Sequence, residues 1–186
     1  HEKEAGKMKK LTFILSVLAL FILPSYSYPS GLGLLHMSLI EGDVQINAED
    51  TEGWVPATMN MPVREGDRLM VPYGGRVELL FRNGTYLRLN ENSSVEVLAA
   101  DANSFRFYLE SGHAYVNFKG TGRSSIEIST PLTLIRSHNK SVFRVDVSDP
   151  GDTQLSVFKG SVYAEDRKGK TKVVAGETLR LRDRGY

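Results

Sequence analysis

The sequence predicts an all-β protein of short strands, sandwich-like or wound as a twisted β-solenoid. Three observations carry that expectation. Apolar and polar side chains alternate in runs such as Val77-Glu78-Leu79-Leu80-Phe81 and Phe105-Arg106-Phe107-Tyr108-Leu109, the period of a strand with one buried face. Turn signals such as Asn83-Gly84 and Asp149-Pro150-Gly151-Asp152 separate these runs, which recur at about 8–12 residues as in all-β folds. No stretch beyond residue 35 sustains a 3.6-residue apolar period, so helix is expected only upstream.

The upstream segment reads as an address. Met8-Lys9-Lys10 precedes a 13-residue run, Leu11 to Leu23, whose only polar members are Thr12 and Ser16. Pro24 ends it, and Ser25-Tyr26-Ser27 places small residues two apart, the order of a secretory signal peptide over residues 1–27. Cleavage is expected between Ser27 and Tyr28, with His1 to Lys7 read either as residues added ahead of Met8 or as the product of an earlier start codon. A membrane span needs about 20 apolar residues. The membrane is therefore reached only if the signal stays uncleaved as an anchor. Residues 28–36, with Gly31 and Gly33, read as a flexible leader.

Without residues 1–27, which hold four lysines and two glutamates, 23 basic and 22 acidic side chains become 19 and 20, a net −1. Such a balance offers no electrostatic footprint for nucleic acid or for an anionic bilayer. The chain has no cysteine, which excludes disulfides, a lipoprotein anchor, thiol chemistry and sulfur-ligated metals. Its fold must rest on an ordinary apolar core, for which one domain of this length suffices.

Residues 37–73 form an N-terminal β lobe. Leu39 to Ile46 supplies its first strands, and Pro56, which cannot donate to a ladder, marks an edge or a bend. Arg64-Glu65-Gly66-Asp67 turns into Arg68-Leu69, and Pro72 with Gly74-Gly75 closes the lobe. Residues 74–182 then form the main β domain. Gly74 to Leu98 holds three strands, with Asn83-Gly84 supplying the positive φ of a hairpin. Ser111-Gly112 is read as a turn and Gly120 to Ser125 as a loop. Alternating pairs Ile126/Ile128, Val145/Val147, Leu155/Val157, Val162/Ala164 and Leu179/Leu181 complete the pattern. A weak echo links Glu41-Gly42 to Ile46, Ser111-Gly112 to Val116 and Lys159-Gly160 to Ala164. The first and third of these are each followed by Val-x-x-Gly-acid-x-Leu, at Val63 to Leu69 and Val173 to Leu179.

The order of these segments resembles the FecR domain family. Ser111-Gly112-His113-Ala114, Thr130-Pro131, Phe143 to Val145, Val157 to Val162 and Ala175-Gly176-Glu177 occupy the family's motif positions in sequence, behind a lead-in "LIEGDVQI … GWVPATMNMPVREGDRL". Asn139-Lys140-Ser141-Val142-Phe143 departs from the family's Gly-Thr-x-Phe. The resemblance implies an all-β domain and, from the best-known members, a periplasmic module that receives a signal from a TonB-dependent outer-membrane receptor. Those members also carry a cytoplasmic part that controls a sigma factor. Ten residues upstream of the apolar run are too few for one, so only the periplasmic module is carried over.

Catalytic and metal signatures are not expected. His36, His113 and His138 lie on distant segments without ligand spacing, and His113 reads as a solvent-facing strand residue. No Gly-x-Ser-x-Gly elbow or phosphate loop is present. Asp149 and Asp152 read as turn residues and not as a calcium loop. No cofactor is implied. Tyr86, Tyr108, Tyr115 and Tyr163 fall at positions alternating with the apolar face. Two readings stand: an outward row that contacts a protein or glycan, or rings covered by a second sheet or by the N-terminal lobe. The expected function is thus a non-enzymatic, exported FecR-type module of the periplasm or cell envelope that binds another envelope protein. The alternative is a carbohydrate- or peptidoglycan-binding module.

Overall fold

The computed structural model describes residues 35–48, 51–148 and 151–182. The signal peptide, its exit at Ser27–Tyr28, most of the leader and Asp149-Pro150 lie outside the described residues. The fold is all-β. Its strands are β1 (Leu35–Glu41), β2 (Gln45–Asn47), β3 (Val55–Pro56), β4 (Arg68–Val71), β5 (Arg76–Phe81), β6 (Tyr86–Leu89) and β7 (Ser93–Ala100). They continue with β8 (Ser104–Ser129), β9 (Leu134–Val147), β10 (Thr153–Lys159), β11 (Ser161–Asp166), β12 (Gly169–Val174) and β13 (Thr178–Leu181).

Every strand pair is antiparallel, and all join one curled sheet, a half-barrel with its apolar side inward. The register shows that successive short strands are halves of longer ribbons. β1 and β2 run along β5 and β4, and these run along β6 and β7, which both lie against β8. On the other flank β8 pairs with β9, β9 with β10 and β11, and these with β13 and β12. Strands from both sides of residue 74 therefore share ladders, since β1 pairs with β5 and β4 with β7.

Each ribbon bends where a Gly or Asn sits. Gly42, Gly112 and Gly160, the glycines of the sequence echo, all take positive φ (71°, 92° and 77°) at such bends. The echo thus repeats a strand–kink–strand unit. Its second half repeats too. The Asp67 carboxylate accepts the Arg64 N–H at 2.7 Å, and the Glu177 carboxylate accepts the Val174 N–H at 2.9 Å, each across a positive-φ glycine.

Two sequence expectations change here. Ser111-Gly112 does not turn the chain, and Gly120 to Ser125 is not a separate loop; both lie inside the 26-residue β8. Gly112 serves close approach instead. A Cβ there would lie 2.4 Å from Ser93 Cα and 2.5 Å from the Asn92 carbonyl oxygen, so only glycine lets the neighbouring ribbon pass. At Asn83-Gly84 only Gly84 has positive φ (78°). Its N–H bonds the Phe81 carbonyl at 2.9 Å, which makes a type I turn closed by a glycine bulge. Pro56 does sit in β3 at the end of the strand order, where a missing donor costs nothing.

The inward side chains of both flanks meet in one core. Phe81 packs edge-on against Phe105 and Phe107, with ring centroids 4.3 and 6.0 Å apart, and Phe107 and Val116 are fully buried. Burial of a side chain of this size stabilises by about 1.5–3 kcal/mol. Polar groups at the bends are paired rather than orphaned: the buried Ser137 and Ser141 hydroxyls bond each other at 2.8 Å, and Thr130 bonds Thr153 at 3.0 Å.

Candidate interaction face

The convex side of the sheet is built from the residues that alternate with the core. Along β6, β8 and β9 these are Tyr86 and Arg88, then His113, Tyr115 and Asn117, then Val142, Arg144 and Asp146. Cross-strand register brings Tyr86 beside Asn117 and Arg88 beside Tyr115. The Tyr86 and Tyr115 rings stack with centroids 6.2 Å apart and planes 22° from parallel. Phe158 extends the stack, 6.0 Å from Tyr115, and is 52% exposed. It sits at a bulge, between register partners Val157 and Lys159, which turns an apolar side chain to solvent. Arg88 lies 5.3 Å from the Tyr86 ring centroid and bonds Glu78 at 2.6 Å. Burial first, and then the neighbouring Tyr86 phenol, push the Tyr115 phenol above its ordinary pKa, while Arg88 pulls the other way.

Next to the rings is an ionic cluster. His113 Nδ1 donates to Asp146 at 2.6 Å, and Arg144 Nε donates to the same carboxylate oxygen at 2.6 Å. With that proton on Nδ1, the 3.2 Å approach of Arg144 Nη2 is a charge contact and not a second hydrogen bond. Two open depressions of about 300 and 280 Å³ flank His113. Arg180, Gln154 and Asp152 line the first; Arg76, Tyr86 and Arg144 line the second. The arrangement suits contact with a polar partner bearing an apolar side chain.

Of the four tyrosines singled out in the sequence, the structure brings together two. All are half-buried on outward positions. Tyr108 lies beyond the Gly112 bend, opposite Glu96, and Tyr163 lies on β11 with the Lys170 ammonium 4.4 Å from its ring centroid. Phe158 and the His113–Asp146–Arg144 cluster escaped the sequence reading. An aromatic at a position of polar parity just before Gly160 was the available signal for Phe158. The His–Asp contact joins residues 33 apart and leaves none.

Comparison with known proteins adds to this geometry. The model of the family described as "FecR protein" matches residues 67–163, more than half of the chain. The chain belongs to the FecR family. The FecR match takes in β4 through the first half of β11, including the aromatic stack on β6 and β8 and Phe158 on β10. Two crystal structures of a candidate anti-sigma factor from Parabacteroides distasonis ATCC 8503 share the fold, each with a TM-score of 0.57 at 14% identity. The match covers 63% of this chain and 55% of theirs, so the FecR chain spans about half the length of those proteins. No curated protein matches the chain in sequence.

Proposed function

We propose that this FecR protein is an exported, non-enzymatic module that senses the cell envelope by binding another envelope protein in the periplasm. Family membership across residues 67–163 carries the reading. The basic start, short apolar run and small-x-small exit at Ser25 to Ser27 support export. The outward Tyr86–Tyr115–Phe158 stack, with Phe158 exposed at its end, supports binding, because aromatic anchors with polar rims concentrate interface energy. The shared fold with a candidate anti-sigma factor is in keeping with a regulatory output.

The test uses the full chain with a C-terminal tag, expressed in bacteria. The mature form should appear in the periplasmic fraction with an N-terminus near Tyr28. In vivo crosslinking from position 158 should trap one defined envelope protein, and Tyr115→Ala should abolish that adduct without unfolding the domain. Retention of Leu11–Leu23 in the membrane fraction would overturn export. Sedimentation with peptidoglycan sacculi, in place of a protein adduct, would favour the glycan alternative.

A further inference from the structure

Three lysines lie near the aromatic stack on neighbouring strands. Lys119 follows Asn117 by two residues on β8, Lys140 precedes Val142 by two on β9, and Lys159 on β10 is the register partner of Val142. Asn117 pairs with Val142 on one side and with Tyr86 on the other. All three lysines are exposed, and among the described residues none of them makes an ion pair. Like charges on neighbouring strands repel, so the sheet carries a cost here that an anion laid across them removes.

The row alongside is linear. Leu80, Tyr86, Asn117 and Val142 are consecutive register partners across β5, β6, β8 and β9, and Lys159 continues the line on β10 with Phe158 at the bulge just before it. Every member is at least partly exposed. Five strands about 4.8 Å apart make a stripe roughly 19 Å long, which matches about six residues of extended chain.

We propose that this stripe docks an extended acidic segment of a partner protein, its carboxylates on Lys119, Lys140 and Lys159 and its apolar side chains on Tyr86, Tyr115 and Phe158. The proposal rests on the interaction reading above and specifies the partner's chemistry. Neutral sugars leave the lysine repulsion in place.

The probe is a fluorescein-labelled peptide of six Glu-Tyr repeats, titrated with the full chain and followed by anisotropy. Saturable binding is expected, weakening with added salt, and a Gln-Tyr peptide should bind at least tenfold more weakly. The combined variant Lys119→Glu, Lys140→Glu, Lys159→Glu should lose the Glu-Tyr peptide and gain a Lys-Tyr peptide, which shows that it is folded. Phe158→Ala should weaken Glu-Tyr binding about tenfold. Absence of saturation, unchanged binding in the lysine variant, or binding only to glycan strands overturns the proposal. The crosslinked adduct separates this failure from that of the interaction reading. An adduct kept by the lysine variant but lost in Tyr115→Ala removes the acidic partner alone, whereas an adduct indifferent to Tyr115 removes the face itself.

Discussion

Gly112→Ala tests whether the bends are made by close ribbon passage or only by glycine's freedom to take positive φ. Placing an L residue at positive φ costs about 1–2 kcal/mol, and this applies equally to Gly84, where φ is 78° and no atom lies within 4 Å of an added Cβ. At Gly112, with φ 92°, the added Cβ meets backbone: Ser93 Cα at 2.4 Å and the Asn92 carbonyl oxygen at 2.5 Å. Neither atom can swing away as a side-chain tip would, so β7 must move or the β8 bulge must open. Overpacking of this kind costs a further 1–3 kcal/mol or so. The expected losses are about 1–2 kcal/mol for Gly84→Ala and about 2–5 kcal/mol for Gly112→Ala. For a domain of this size 1 kcal/mol moves Tm by about 2–4 °C. Urea unfolding followed by far-UV circular dichroism measures both, with the m-value confirming the same transition. Equal losses in the two variants would refute the close-passage argument and leave Gly112 as an ordinary turn glycine.

Two further outcomes are expected. Phe107→Ala removes a fully buried ring that contacts Phe81 and should cost about 3–5 kcal/mol in the same urea assay, while Tyr108→Ala, half-exposed on the opposite side of the strand, should cost much less; comparable losses would place Tyr108 in a second core. Because the folded state holds the Tyr115 proton more tightly than an unfolded chain does, the stability linked to that proton is complete below pH 10 and drains away as pH rises through the raised folded value. Tyr115→Phe should accordingly lose less stability than the parent chain between neutral pH and strongly alkaline solution, and parallel profiles would contradict the raised pKa.

Local periodicity determined a large part of this protein. Alternation assigned Val77, Leu79, Phe81, Phe107, Val116 and Val145 to one face, and all are buried. Asn83-Gly84 and Pro56 were legible because a hairpin glycine and a missing donor act within a few residues of themselves. The alternation of Tyr86 and Tyr115 with the apolar face was legible for the same reason, but not whether another element covers them. Tertiary structure decided whatever depends on register. Inward positions switch from odd-numbered Phe105, Phe107 and Leu109 to even-numbered Ala114, Val116 and Phe118 because of a bulge beside Gly112. That shift sets Tyr108 apart from Tyr115, and no local pattern distinguishes it from a turn. A second bulge turns Phe158 out onto Tyr115, and the β8–β9 ladder sets His113 against Asp146. Such contacts join residues 33 to 43 positions apart, and a one-residue slip in either ladder would send the side chains to the opposite face. The sequence carries the parity of each strand; only the neighbouring strand determines what that parity meets.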